Sequence, residues 1–315
     1  MDSNYKIAPL PERPRPGIAP ALAMVLAAAA GLWITSLAAA LLNPSLSLSG
    51  ELVNALMFYL PFVILPVILY SVRHRGLSDA LRLNPMPVLP ALTVVFLGLL
   101  SVYIASGVDA LWTALLSAAG LHPPEAALDV TTSRTLTAQI LLSAALPAVC
   151  EELLFRGVVF SAFEGRGTWR GVWLSSALFA LMHGNLFGLP AYLLVGALSA
   201  YIVYALDSLY AGMLFHTVYN TAILVIMHMA SGMPQAGEAA AALSPVSLVL
   251  DFIITGALIA SSLMTLELRR RVSGIEPLPR SPEPLGRRNA WMLAAVTVLL
   301  VFNNLVIQFL TEAGL

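Results

Sequence analysis

The sequence predicts an all-α, polytopic transmembrane helical bundle of about nine spans (eight to nine), with a cytoplasmic N-terminus. Three observations carry this. First, 59% of the 315 residues are hydrophobic and only 10% are charged, and the mean hydropathy is +0.85; soluble domains hold about 25% charged residues. Second, mostly apolar stretches of roughly 20 residues, enough to cross a bilayer, recur along the chain. Third, the basic residues alternate between loops. Lys6, Arg13 and Arg15, then Arg73, Arg75 and Arg82, then Arg156, Arg166 and Arg170, and finally Arg269, Arg270, Arg271, Arg280, Arg287 and Arg288 fall on one side. Only Arg134, of 16 basic residues, falls on the other, and such an excess marks the cytoplasmic side.

Taken in order, residues 1–17 read as a cytoplasmic tail with four prolines; the apolar segment that follows is too long for a cleavable signal. Spans are expected near 18–42, 51–72, 88–108, 135–162, 171–184, 186–206, 209–231, 246–267 and 290–311. The fifth is short enough to end inside a cavity. Between the third and fourth, 109–134 is expected to hold an amphipathic surface helix. Pro61, Pro66, Pro147, Gly157 and Gly196 are expected to mark bends, which membrane helices tolerate. The chain thus divides into the tail 1–17, an N-terminal transmembrane region 18–134, a core 135–231 and a C-terminal region 232–315 with a basic linker 268–289. The predominance of Arg over Lys points to a bacterial source and an inner-membrane location.

Charge inside an apolar span is costly and marks a functional site unless it is paired or faces a wet cavity. The fourth span carries Glu151, Glu152 and Arg156. Glu152 and Arg156 are i,i+4 with the acid first, the favourable order for an ion pair. Glu151 points about 100° away and needs another partner. The fifth span carries Phe179 and His183 at i,i+4, and the seventh His216 and Asn220 at the same spacing. Counting about 1.5 Å per residue from the cytoplasmic ends puts Glu151, His183, His216 and Asn220 roughly 10–18 Å deep. Four polar residues at matching depth form one candidate site. Glu151 with His183 can activate a water, and His216 with Asn220 can donate to an oxyanion. Glu152, Arg156 and Phe179 are expected to support it. Cys150, the only cysteine, excludes an intramolecular disulfide and reads as a small buried hydrophobe.

Glu151-Glu152-x-x-x-Arg156, Phe179-x-x-x-His183 and His216-x-x-x-Asn220 resemble, in order, the three motifs of the CPBP family, intramembrane endopeptidases related to CAAX prenyl proteases and including the Abi self-immunity proteins. The resemblance covers about 135–225. It implies a helical fold, water activation by Glu151 and His183, an oxyanion hole of His216 and Asn220, and a membrane-anchored or lipid-modified protein or peptide as substrate. The expected partners are that substrate and the lipid bilayer, with no nucleic acid. No metal or cofactor is expected. Zinc held by the two histidines and a glutamate is the alternative, weakened by the lack of a His-Glu-x-x-His pair. Two other classes compete: a non-proteolytic scaffold or bacteriocin-immunity protein, and a proton-coupled transporter, against which the missing inverted repeat counts.

Overall fold

A computed structural model describes residues 16–42, 48–65, 67, 68, 72, 81–124, 128–232, 245–275 and 285–313. Its helices are α1 (Ile18–Leu42), α2 (Leu48–Tyr59, continued by a wide π turn Leu60–Ile64), α3 (Val88–Ala118), α4 (Ser133–Glu164), α5 (Thr168–Met182), α6 (Leu189–Leu206), α7 (Leu209–Ser231), α8 (Pro245–Val272) and α9 (Arg287–Glu312). Among the described residues there is no strand, and seven helices are long and apolar enough to cross a membrane: α1, α3, α4, α6, α7, α8 and α9. The expected span 51–72 lies partly outside the described residues, as do most of the tail, Arg73, Arg75 and the linker around Arg280. With 15 residues, α5 is short, as its sequence indicates.

The expected surface helix is not found: among the described residues no separate helix follows residue 108 before α4, because α3 continues without a break to Ala118. No proline or helix-ending glycine stops it; Gly107 lies within the helix against the Phe252 ring of α8.

Two wide turns interrupt α4. The first, Ile140–Ala145, precedes Leu146-Pro147, and the Leu146 amide reaches back five residues to the Leu141 carbonyl. The ring of Pro147 would collide with the Ser143 carbonyl in a regular helix, and widening the turn relieves this. The second covers Leu153–Phe160 and contains Arg156; here Ser161 Oγ donates to the Arg156 carbonyl at 3.2 Å. Gly196, expected at a bend, lies inside an unbroken α6.

Among the described residues, the packed interior falls into two large apolar clusters and two small ones. Of the large ones, one gathers Leu22 and Val25 of α1, Phe155 and Val159 of α4, Phe179 of α5 and Leu300 of α9. The other gathers Val94 and Leu97 of α3, Ile202 of α6, Phe215 of α7 and Leu266 of α8. Polar contacts at each end show which helix termini share a side. At one end, Arg82 forms a buried ion pair with Glu164, its Nε lies 3.6 Å from Asp207 Oδ1, and its carbonyl accepts from the Leu209 amide at 2.8 Å. Nearby, Ser208 Oγ donates to the Asn84 carbonyl at 2.6 Å. At the other end, His122 contacts Glu312 at 2.6 and 2.7 Å, and Gln308 Nε2 donates to the His122 carbonyl at 3.1 Å. The helices therefore alternate in direction. The first end carries Arg166, Arg170 and Arg269–Arg271, the side that the charge bias assigns to the cytoplasm.

The Arg82 knot gives a direct stability test. Removing one partner of a buried ion pair leaves its counter-charge stranded, at about 3–5 kcal/mol. Arg82→Leu is expected to lose that much in detergent unfolding. Arg271→Leu, at a residue whose side chain is 71% exposed, should stay within about 0.5 kcal/mol.

Candidate active site

Helical rotation sends the two adjacent glutamates of α4 into different surroundings. Glu152 is fully buried. Its Oε1 lies 2.9 Å from Arg156 Nη1 and 3.2 Å from His216 Nδ1, and its Oε2 accepts from Ser199 Oγ at 2.7 Å. The expected i,i+4 pair with Arg156 is present, yet the same carboxylate also holds α6 and α7. Arg156, equally buried, donates from Nη2 to the Gly196 carbonyl at 2.9 Å and sits 4.4 Å from the centre of the Phe179 ring. It therefore does not belong with the loop arginines, where the charge count put it. A carboxylate, a carbonyl and an aromatic face replace the water that a cation would otherwise need.

Two glycines make room for this centre. A Cβ on Gly212 would lie 2.5 Å from Glu152 Oε2, and one on Gly196 would lie 3.1 Å from Phe179 Cδ1 and 3.3 Å from Arg156 Nη2. Small residues on α6 and α7 thus let the helices approach the charged pair closely.

Glu151 is one-fifth exposed, and its two oxygens differ. Oε1 accepts from the Tyr59 hydroxyl of α2 at 3.0 Å. Oε2 lies 3.9 Å from His183 Nε2, too far for a direct hydrogen bond. His183 caps the end of α5, where Gly184 turns the chain with φ +63°. A side-chain-bearing residue would be strained there. Its Nδ1 lies 2.8 Å from the Phe179 carbonyl. A carbonyl can only accept, so Nδ1 carries a proton, and in the neutral ring Nε2 turns a lone pair towards Glu151. The ring is held in place by stacking on Tyr192, centroids 4.1 Å apart, and by an edge contact with Phe179 at 4.6 Å.

Phe179, expected behind the site, stands in its middle. It also meets Phe155 at 5.3 Å and His216 at 5.7 Å, both edge to face. Asn220 follows His216 by one turn of α7 and is half-buried. Because the Nδ1 proton of His216 is directed to Glu152, donation from its Nε2 requires the doubly protonated ring. Among the described residues, no three His, Cys, Asp or Glu side chains are arranged to hold a metal ion. Cys150 is buried in the first apolar cluster. Tyr59, Tyr192, Ser199 and Gly212 were not foreseen. Only Ser199 left a signal: it follows Gly196 by three residues, a small and polar stripe on one face of α6.

Residues 133–222 match the family model described as type II CAAX prenyl endopeptidase Rce1-like. The core is Rce1-like. That segment holds Glu151, Glu152, Arg156, Phe179, His183, His216 and Asn220, whereas Tyr59 on α2 lies outside it. No curated protein and no solved structure gives a significant match. With its long apolar helices, the chain is an integral, multi-pass membrane protein whose segment 133–222 is similar to the CAAX proteases.

The close packing of the Rce1-like centre is testable. Gly212→Ala forces a methyl group against Glu152 and Val203 and is expected to cost about 1–3 kcal/mol in unfolding measurements. Gly256→Ala, with nothing within 4 Å of the added carbon, should be neutral or slightly stabilising.

Proposed function

We propose that the protein is an intramembrane endopeptidase of the CAAX type, hydrolysing a peptide bond of a prenylated or otherwise membrane-anchored protein or peptide by metal-free chemistry. One observation carries the chemistry: Glu151 Oε2 and His183 Nε2, both acceptors, face each other across 3.9 Å. Such a pair calls for a molecule that donates twice, and the separation is close to what one water spans with its two O–H bonds. A water so held keeps its lone pairs free for attack. The ordered Rce1-like motifs add support.

In this reading the water oxygen bonds to the carbonyl carbon while its proton passes to Glu151, with His183 holding the second hydrogen. The carbonyl oxygen becomes an oxyanion, which accepts from His216 Nε2 and the Asn220 amide. The intermediate collapses, the C–N bond breaks, and the proton on Glu151 leaves with the amine. Glu152 stays with Arg156 and His216 and takes no proton. The position of Tyr59 steers the reaction to Oε2 by occupying Oε1.

Glu151→Gln is expected to lower turnover by about 10²–10⁴-fold, and His183→Ala comparably, measured by cleavage of a quenched-fluorescent prenylated peptide in detergent. Mass spectrometry of membrane proteins from cells carrying each variant extends the test to natural substrates. If no cleavage product depends on Glu151, the scaffold or immunity reading replaces the protease one.

Tyr59→Phe removes a hydrogen bond to a charged group and should cost on the order of 10-fold in kcat. Chelation separates glutamate chemistry from zinc chemistry. Activity is expected to survive a strong chelator in protein shown by elemental analysis to be zinc-free; loss restored by added zinc would reverse the assignment.

A further inference from the structure

The turn that carries His183 lies at membrane depth, between α5 and α6. Irregular backbone survives there only where protein or a wet cavity satisfies its polar groups. The last carbonyls of α5 have no partners within their own helix. Phe179 O receives the His183 ring, and Ala180 O the His183 amide at 3.3 Å. Within the turn, Leu181 O meets the His183 amide and, at a long 3.4 Å, the Gly184 amide. A further donor comes from another part of the chain: Asn304 Nδ2 of α9, at 2.8 Å. Across the turn, Leu186 O receives Trp112 Nε1 of α3 at 2.9 Å. Both donors come from outside the matched segment 133–222.

Packing supports the same arrangement. Asn304 is buried, and Ile307 of α9 lies so close to Gly184 that a Cβ there would come within 2.5 Å of Ile307 Cδ1. Inside the turn, Asn185 Oδ1 accepts from the Phe187 and Gly188 amides at 3.0 and 3.3 Å and closes the start of α6. Asn304 and Trp112 grip the two sides of a segment that is otherwise self-contained.

We infer that Asn304 and Trp112 are positioning residues for His183. By fixing the carbonyls of Leu181 and Leu186, they hold the imidazole on the Phe179 carbonyl with Nε2 towards Glu151. The inference rests on the proteolytic reading only for its effect on turnover; the effect on the ring itself is independent of it. Helices on either side of the matched core thereby become part of the site.

Asn304→Asp preserves size and removes the donor, and Trp112→Phe removes the indole N–H. In the full-length protein, assayed with the quenched-fluorescent prenylated peptide, each is expected to lose on the order of 10-fold or more in kcat with KM unchanged, as small misplacements of a catalytic group do. Phe309→Leu, at a residue 71% exposed on α9, should match the parent protein. Nitrogen-15 spectra of labelled histidine read the ring directly. The parent is expected to show His183 as the Nδ1–H tautomer, and both variants a shift towards Nε2–H. Should Asn304→Asp fail to fold, judged by its melting temperature, Trp112→Phe decides by the same two readouts. Unchanged kcat together with unchanged His183 signals in a folded variant overturns the inference. If the parent cleaves no peptide, the proteolytic reading fails while the spectra still test the clamp.

Discussion

The arrangement depends on one carboxylate. Glu152 meets a guanidinium, an imidazole and a hydroxyl at once, joining α4 to α6 and α7. An uncompensated charge at this depth would cost several kcal/mol, so the three partners are a condition of folding as much as a feature of the site. Their geometry then fixes secondary features: Arg156 is drawn over Phe179, and Phe179 brings His183 and His216 to the same ring. Glu151, one residue earlier, inherits a rigid frame without sharing its charge balance. In the proposed reading, structural and chemical roles are separated by a single step of the helix.

The frame extends beyond the matched segment. Tyr59 reaches Glu151 from α2, Trp112 reaches the His183 turn from α3, and Asn304 reaches it from α9. Each contributes a polar hydrogen from a largely apolar helix. Lipid cannot supply such hydrogens, so a membrane helix that donates one inward is held by a directional contact as well as by packing.

Most of the architecture was legible because hydropathy and charge asymmetry are long-range signals. They predict nine helical segments, and the structure describes helices at all nine, with the second only partly covered. The motif residues were legible because charge in an apolar run is rare and the i,i+4 spacing assigns faces. Local signals were weaker. Nothing in 109–118 announced that α3 continues, because Asp109 and Trp112 lower the hydropathy there without ending the helix. The pairing of Arg156 with Glu152 was legible from their spacing, but its place over Phe179 was not, because sequence position alone does not report an aromatic face on α5. Tyr59, Tyr192 and Asn304 carry no charge, and a neutral polar group in a membrane helix does not by itself report which distant helix it meets. Their partners are fixed by how helices distant in sequence cross.

The knot of Arg82, Glu164, Asp207 and Leu209 has one more consequence. It pins the end of α4, the end of α6 and the start of α7 together, so the distance from the knot to each side chain of the buried centre is counted in residues along a helix. Glu152, Ser199 and His216 lie 12, 8 and 7 residues from Glu164, Asp207 and Leu209, and they meet because these intervals fit one another. Adding or deleting one residue between knot and centre would shift one of them by about 1.5 Å and turn it by about 100°. Helix length therefore acts here as a ruler, and these intervals should tolerate exchanges of residue far better than changes in number.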